Sequence, residues 1–384
     1  MIASMTCVRL LLLWLVALSA GCGAPEDNTF AEPVEEPVDS EQQMLRRTII
    51  HDGIEREFFV HVPHTTSSES LLPVVVALHG YTSTATGFAA HYGLNEHANR
   101  NGYIVVYPQG SHFPVLTPGA GSYRVTSWND LAANQPQTAA GPHCTDDASP
   151  YPRPPECSEF GRCSWTSCYD DKGFIEQVLD VMQTEFMTDP TRYYLLGVSN
   201  GAMMALRMGC DMSERFAAVA PIIGQLAPGY ACGPTTPLPL LHLYGAEDNT
   251  VRFDGQPGGD GFIYTTAAET TRIWADALAC TEGPDDWSSE DSVAAGVTCS
   301  AYTQCGRPDD KVLSCEDADG RHEWPGQIVH GIPATCVTEE QYDSMPGQAR
   351  CEAGDDRRMD GGMDLVWNFF RQYRSTETAA DTPQ

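Results

Sequence analysis

The segment Gly197-Val198-Ser199-Asn200-Gly201 has the pattern of a nucleophile elbow, in which a serine lies on a sharp turn between a strand and a helix. Glycines flank such a serine because the turn brings backbone segments too close together for a β-carbon. The residues YYLL precede the pattern as a strand, and AMMALRMGC follow it as a helix. This context predicts Ser199 as a nucleophile, and the alternative is a serine in a surface turn.

A serine hydroxyl becomes a good nucleophile only with a base in hydrogen-bond reach and a carboxylate that orients the base. Asp248 follows the apolar strand LPLLHLY, and His322 follows a later strand, which gives the chain order serine, acid, histidine. We therefore predict Ser199, Asp248 and His322 as a catalytic triad. The alternatives are Glu247, Asp254 and Asp260 for the acid, and His242 and His330 for the base.

Attack of a serine on an ester carbonyl places negative charge on the carbonyl oxygen, which needs two backbone N–H donors. One donor is expected from Asn200, the residue after the nucleophile. The other is expected from the turn His79-Gly80-Tyr81-Thr82 after the first buried strand, with the Tyr81 amide as the donor. His79 itself is predicted to brace this turn.

Apolar β-branched runs alternate with helical patterns along the chain, and they are the elements that must position these residues. A hairpin is predicted at residues 46–62, and buried strands at 73–78, 103–107, 193–196, 216–221, 238–244 and 311–316. Helices are predicted at 88–100, 171–186, 200–210, 267–278 and 362–373. The alternation predicts an α/β fold, with a mostly parallel sheet covered by helices on both faces in one domain. The carboxyl ends of such strands converge on one site.

The composition excludes two broad classes of protein. A hydrophobic content of 42% over 384 residues excludes an intrinsically disordered chain. The 52 acidic and 22 basic residues give a net charge of −30, which repels nucleic acid. No nucleic-acid partner is therefore expected.

The amino terminus predicts export. Residues 1–21 have one basic side chain before a short apolar run, and Gly21-Cys22 resembles the end of a bacterial lipoprotein signal, which predicts lipidation of Cys22. The alternative is an ordinary cleaved signal. The remaining organisation is predicted as an acidic flexible tether at 22–44, a folded domain at 45–374 and a disordered tail at 375–384.

The cysteines agree with export to an oxidising compartment. Of fourteen cysteines, Cys7 would leave with the signal and Cys22 would carry lipid, so twelve remain. An even number suits disulfides, which we predict between Cys210 and Cys232 and between Cys336 and Cys351. Pairing stays open within two groups of four, Cys144, Cys157, Cys163 and Cys168, and Cys280, Cys299, Cys305 and Cys315. The alternative is zinc, but the spacings are not those of a zinc knuckle, so no metal is predicted.

Several motifs in order are more specific than the elbow alone: LPVVVALHGYTSTATGF, NGYIVVYPQG, SWND, GVSNGAMMALRMGC, LHLYGAEDNTV and GRHEWPG. With them the chain resembles, over residues 46–373, the secreted esterases known as polyhydroxybutyrate depolymerases and feruloyl esterases. The resemblance implies an α/β-hydrolase fold that carries the triad predicted above. It also implies that Trp128 and Trp324 border the acyl pocket, the alternative for both being a place in the core.

We further expect a monomeric serine ester hydrolase that needs no cofactor and contacts a membrane only through the lipid on Cys22. The expected substrates are phenolic or acyl esters of polysaccharides such as xylan, because the long segments 108–169 and 327–356 favour a pocket shaped for a defined acyl group. The alternatives are a short hydroxyalkanoate polyester as substrate, a serine peptidase, and a non-catalytic binding module at the cell surface.

Overall fold

The computed structural model describes residues 44–64, 70–117, 121–131, 138–157, 161–288, 296–324 and 360–375, with the pairs 328–329, 332–333, 336–337 and 349–350. The predicted signal, Cys22 and residues 23–43 of the predicted tether lie outside the described residues. So do His330, Cys351 and residues 376–384 of the predicted tail.

The strands in chain order are β1 (Leu45–His51), β2 (Ile54–His61), β3 (Leu72–Leu78), β4 (Ile104–Pro108), β5 (Ser111–Thr117), β6 (Gly121–Ser127), β7 (Thr188–Val198), β8 (Ala218–Ile222), β9 (Leu240–Gly245), β10 (Glu282–Trp287), β11 (Val297–Thr303), β12 (Val312–Asp317), β13 (Ile328–Val329), β14 (Ile332–Pro333), β15 (Cys336–Val337) and β16 (Ala349–Arg350). A ten-stranded sheet has the spatial order β1-β2-β4-β3-β7-β8-β9-β12-β11-β10. Its central strands, from β4 to β12, are parallel, and the outer strands at both edges pair antiparallel. The remaining strands form two-stranded pairs, of which β5 with β6 is the longest.

The helices are α1 (Ala85–Tyr92), α2 (Leu94–Asn101), α3 (Asp171–Glu185), α4 (Asn200–Asp211), α5 (Ala267–Ala277) and α6 (Asp360–Phe370), with 3-10 turns at Pro155–Cys157 and Ser213–Arg215. Side chains of a strand alternate between the two faces of its sheet. Accordingly Val74 and Val76 pack in one apolar cluster with α3, α4 and α5, whereas Val75 and Ala77 pack in another with α1, α2 and α6. The predicted fold, a mostly parallel sheet covered on both faces, is confirmed.

Most local elements agree with the sequence patterns, whereas β10 and β11 were not predicted and two other segments differ from their prediction. The hairpin of β1 and β2 turns at Asp52 and Gly53, both with positive φ, as predicted. The predicted helix at 88–100 is instead two helices, because Gly93 has φ 59° and this left-handed conformation ends α1. The predicted irregular segment 108–169 contains the β5 and β6 hairpin, which its scattered Gly and Pro residues did not indicate.

Five disulfide bonds cross-link the described residues. Cys210 is bonded to Cys232, in agreement with the sequence. The pairs that the sequence left open are Cys144 with Cys163, Cys157 with Cys168, Cys280 with Cys305 and Cys299 with Cys315. The bond between Cys336 and Cys351 stays a prediction, because Cys351 lies outside the described residues. None of the described helices is both long and apolar enough to cross a bilayer.

Removal of the Cys210–Cys232 bond should lower the free energy of unfolding by about 3 kcal/mol, because the bond closes a loop with a sequence separation of 22 and restricts the unfolded chain. Urea unfolding of the Cys210→Ala/Cys232→Ala double variant measures the change. A free thiol at either position in the wild-type protein, found by peptide mapping, would contradict the pairing.

Candidate active site

The residues predicted to carry chemistry follow neighbouring parallel strands, at the edge of the sheet where those strands end. Ser199 follows β7 directly, Asp248 lies in the loop after β9, and His322 lies in the loop after β12. The His79 turn follows β3, the neighbour of β7. Since the carboxyl ends of parallel strands share one edge, residues distant in sequence are brought together there.

The side chains of Ser199, His322 and Asp248 form a hydrogen-bonded chain. His322 Nε2 lies 2.9 Å from Ser199 Oγ, and His322 Nδ1 lies 2.8 Å from Asp248 Oδ2. A single tautomer satisfies both contacts, with Nδ1–H donating to the carboxylate and Nε2 accepting from the hydroxyl. Asp248 is buried, whereas Ser199 and His322 are partly exposed. This geometry allows a proton to pass from the serine to the imidazole.

The carboxylate of Asp248 is held in place by its own loop. Its Oδ1 accepts hydrogen bonds from the backbone N–H groups of Thr250 at 2.7 Å and Val251 at 3.0 Å, which leaves Oδ2 for His322. The loop is also bonded to the segment before His322, since Glu247 N–H donates to the carbonyl of Gly320 at 2.9 Å. The acid and the base are therefore positioned relative to each other by the backbone.

The backbone at Ser199 has the strained geometry of an elbow. Ser199 has φ 55° and ψ −120°, and its N–H donates to the carbonyl of Ile222 at 2.9 Å. A β-carbon at Gly201 would lie 2.1 Å from the carbonyl oxygen of Leu78, and one at Gly197 would lie 2.1 Å from that of Gly201. Both glycines of the motif are thus required by close backbone contacts.

The alternative acids do not reach the imidazole. Glu247 is exposed, and Asp254 forms an ion pair with Arg252 at 2.5 Å. Asp260 accepts a hydrogen bond from the hydroxyl of Tyr151 at 2.8 Å. Of these four candidate acids, Asp248 is the one whose carboxylate contacts His322.

The alternative base His242 lies inside the sheet on β9 and is completely buried. Burial lowers its pKa to about 4, and its Nε2 lies 3.3 Å from the carbonyl of Gly224. It is therefore a neutral core histidine. His330 lies outside the described residues.

The two predicted oxyanion donors lie at the start of a helix and in the adjacent turn. Asn200 is the first residue of α4, where N–H groups have no acceptor within the helix. A β-carbon at Gly80 would lie 3.4 Å from Ser199 Cβ, so the turn that contains Tyr81 packs against the serine. Both predicted donors therefore belong to backbone segments beside Ser199.

His79 is fully buried and connects the turn to the next loop. Its Nδ1 lies 2.8 Å from the carbonyl of Gly80, and its Nε2 accepts from the Gly110 N–H at 3.0 Å and from the Gln109 side-chain amide at 3.1 Å. Burial lowers the pKa of His79 to about 4, so the ring stays neutral with its proton on Nδ1. These contacts fit the bracing role expected for it.

The structure places Trp128 and Trp324 in the core, which differs from their predicted position at the acyl pocket. Trp128 is fully buried, and its polar groups have partners there: its indole N–H donates to the carbonyl of His79 at 2.8 Å, and its backbone exchanges two hydrogen bonds with the Asn200 side chain. Trp324 is 1% exposed and packs 5.1 Å from the ring of Tyr92. Neither indole presents surface to a substrate.

A different aromatic cluster, which no sequence pattern indicates, lies beside the turn that packs against Ser199. Tyr81 lies 5.7 Å from Tyr151 and 5.2 Å from Trp165, and Phe262 lies 5.4 Å from Tyr151, measured between ring centroids. We call these four residues the aromatic cluster. It joins the turn beside Ser199, the disulfide-bonded segment and the loop that carries Asp248. Its members are scattered in irregular segments, so no periodicity indicated them.

Among the described residues, one group of ligand-type side chains lies close enough to share a metal ion: His51, Asp52 and Asp170. Two of these residues are exposed, and His51 already bonds to Asp170 at 3.0 Å. The group includes none of the residues in contact with Ser199.

The parallel sheet and the strand-to-helix turn at Ser199 define an α/β-hydrolase. No protein-family model matches the chain. It is 26% identical over 333 residues to NocK of Nocardia uniformis subsp. tsuyamanensis, a candidate esterase, and the alignment covers 81% of this chain and 83% of that protein. It is 23% identical over 258 residues to feruloyl esterase B of Piromyces equi, covering 65% of this chain and 39% of that one.

A further relative is poly(3-hydroxyalkanoate) depolymerase C of Paucimonas lemoignei, 28% identical over 171 residues, which are 44% of this chain and 31% of the depolymerase. The chain thus spans most of the length of NocK but less than half the length of the other two. The resemblance to feruloyl esterases and polyhydroxybutyrate depolymerases is confirmed. The enzyme class predicted from the sequence, a serine hydrolase of carboxylic esters, agrees with these relatives.

The neutral, buried His79 should make stability depend on pH. Its pKa is about 4 in the folded protein and about 6.5 in an unfolded chain, so the unfolded state binds the proton first as the pH falls. The stabilisation is complete above pH 6.5 and is lost between about pH 6.5 and pH 4, on the order of 3 kcal/mol. His79→Gln should show a flatter pH dependence of the unfolding free energy than the wild type. Equally steep curves would contradict the assignment.

Proposed function

We propose that this chain is an exported serine esterase in which Ser199 is the nucleophile, His322 the general base and Asp248 the orienting acid. The observation that carries the proposal is the pair of hydrogen bonds, 2.9 Å from His322 to Ser199 and 2.8 Å from His322 to Asp248. A surface serine has no need of a strained backbone, a base and a buried carboxylate together.

In the proposed reaction, Ser199 Oγ attacks the ester carbonyl while its proton moves to His322 Nε2. Asp248 stabilises the imidazolium through the Nδ1–H bond and remains ionised. The backbone amides of Tyr81 and Asn200 donate to the oxyanion. His322 then protonates the departing alcohol, and water activated by the same imidazole hydrolyses the acyl-enzyme and restores Ser199.

The aromatic cluster supports an ester with an aromatic acyl group as substrate. The rings of the aromatic cluster pack edge to face. A phenolic ring of a substrate that packed against them in the same geometry would gain the favourable energy of an aromatic contact. Trp165 and Phe262 are nearly buried, whereas Tyr81 and Tyr151 are partly exposed at the rim. A feruloyl-type ester of a polysaccharide is therefore the proposed substrate, and the name of the Piromyces relative agrees with it.

Export and attachment by lipid at Cys22 belong to the same proposal. Five disulfides within the described residues are typical of proteins that fold in an oxidising compartment. The short apolar run before Gly21-Cys22 supports a lipoprotein signal at residues 1–21. Metabolic labelling with a fatty acid tests the anchor, since a Cys22→Ala variant should take up no label.

Nucleophile and base act as a unit in such a mechanism, so single substitutions should be as harmful as a pair. Ser199→Ala and His322→Ala should each lower kcat by at least about 10⁴, and the double variant should be little worse. Hydrolysis of 4-nitrophenyl acetate measures the effect. His330→Ala is the control and should keep its activity.

The opposite result, in which His322→Ala remains active and His330→Ala does not, would assign the base to His330. Comparable turnover of a peptide substrate by the wild-type protein would favour a peptidase. If Ser199→Ala still hydrolysed both the ester and the peptide at the wild-type rate, the proposed mechanism would be refuted.

Truncation of the rim of the aromatic cluster should lower the preference for aromatic esters. We expect Tyr151→Ala to reduce kcat/KM for methyl ferulate by about tenfold, the loss of about one aromatic contact, and to leave kcat/KM for an acetylated sugar nearly unchanged. Tyr302→Ala is a matched control, because Tyr302 is a partly exposed tyrosine on β11. A wild-type preference for a hydroxybutyrate oligomer over methyl ferulate would instead favour the polyester substrate.

A further inference from the structure

A groove of about 350 Å³ lies beside the start of β2 and the β5 and β6 hairpin, and none of Ser199, Asp248 and His322 lines it. Its lining is Arg46, Ile54, Glu55, Arg56, Glu57, Gln109, Gly110, Ser111, His112, Arg124 and Tyr169, and we call it the arginine groove. Three arginines and two glutamates line it, a far less acidic balance than the 22 basic and 52 acidic residues of the whole chain. The local charge therefore differs from that of the molecule.

The floor of the arginine groove is a rigid, buried network. Arg56 is 7% exposed, and its Nη2 donates to Asp171 Oδ1 at 2.7 Å and to the carbonyl of Gln109 at 3.1 Å. Its guanidinium lies 4.0 Å from the centre of the Phe174 ring. Ser111 Oγ donates to the same Asp171 oxygen at 2.8 Å. Because these groups are already fixed, a ligand would order few side chains on binding.

The rim of the groove has a positive charge, on Arg124, that is not used in an ion pair with the described residues. Arg124 is exposed and makes no side-chain hydrogen bond or ion pair with any residue the structure describes. It lies on β6 on the same face of the hairpin as His112. Glu57 is already bonded to Arg46 at 2.7 Å. Arg124 is thus a cation ready for an external anion.

The chemistry of the lining defines the ligand. A guanidinium binds a carboxylate through two parallel hydrogen bonds. Donors such as Arg124 and acceptors such as Glu55 both line the groove, which suits hydroxyl groups because they both donate and accept, and the Tyr169 ring offers an apolar wall. Charges more than about 8 Å away are largely screened at physiological ionic strength, so the side chains that line the groove, and not the net charge of −30, determine whether an anion binds there.

We propose that the arginine groove binds a sugar unit that bears a carboxylate, with Arg124 as its ion-pair partner. A chain of hydrogen bonds connects the turn beside Ser199 to the groove. Gln109 and Gly110 line it, and both donate to His79, whose Nδ1 contacts the Gly80 carbonyl. An acidic sugar of a polysaccharide chain would therefore bind at the sheet edge that carries the ester-cleaving site.

Calorimetric titration of the wild-type full chain tests the proposal without any turnover. The probe is a xylo-oligosaccharide that carries one glucuronic acid, and the comparison is the same oligosaccharide without it. The acidic probe should bind at least about tenfold more tightly, and Arg124→Gln should remove that advantage, because hydrogen bonds between charged groups are stronger than those between neutral ones. Arg371→Gln, which removes another exposed arginine, is the matched control and should bind like the wild type.

Equal affinity for the two probes, or an unchanged preference in Arg124→Gln, would overturn the proposal. An equal loss in Arg371→Gln would show a general charge effect and would overturn it too. Arg124→Gln should hydrolyse 4-nitrophenyl acetate at the wild-type rate, which also shows that the variant is folded. A protein that binds the acidic probe as described but hydrolyses no ester would refute the proposed function and support the groove.

Discussion

The turn at Ser199 is the constraint on which the site depends. A residue other than glycine at φ 55° costs on the order of 1–3 kcal/mol, and it persists only where the surrounding structure fixes it. Here the Ser199 N–H is bonded to Ile222, and Gly201 packs against the Leu78 carbonyl. The turn leaves the serine side chain at the edge of the sheet. The other groups then need only follow neighbouring strands to reach it.

A buried polar network extends from this turn to its neighbour. The Asn200 side chain forms two hydrogen bonds with the backbone of Trp128, whose indole is bonded to the His79 carbonyl. Asn200 directly follows Ser199, and His79 directly precedes Gly80. The network therefore ties the start of α4 to the turn after β3, the two segments that carry the proposed oxyanion donors. Hydrogen bonds among buried groups are costly to break, which keeps these segments in register.

The sequence predicted the parts of the structure that depend on local patterns. The apolar runs of β3 and β7 are fully buried strands, and a buried strand has an apolar side chain at nearly every position. The elbow glycines were also predictable, because a tight turn with close backbone contacts admits only glycine. The chain order of Ser199, Asp248 and His322 was predictable as well, because each of these residues follows a recognisable strand.

Other parts leave no local signal. Strand β10 is almost wholly exposed, with acidic residues and a proline, so no periodicity marks it, and only its pairing with β11 makes it a strand. The aromatic cluster is built from separate irregular segments, and its contacts arise from tertiary packing. Trp128 was expected at a pocket, but a lone tryptophan in a motif does not reveal whether its N–H has a buried acceptor.

Reaction with a fluorophosphonate probe, followed by peptide mass spectrometry, tests most directly whether His322 activates Ser199. The probe requires an activated serine but no knowledge of the natural substrate. We predict one adduct, on the peptide that contains Ser199, and labelling of His322→Ala that is slower by on the order of 10³ or more. An adduct on another residue, or labelling of His322→Ala at the wild-type rate, would contradict it.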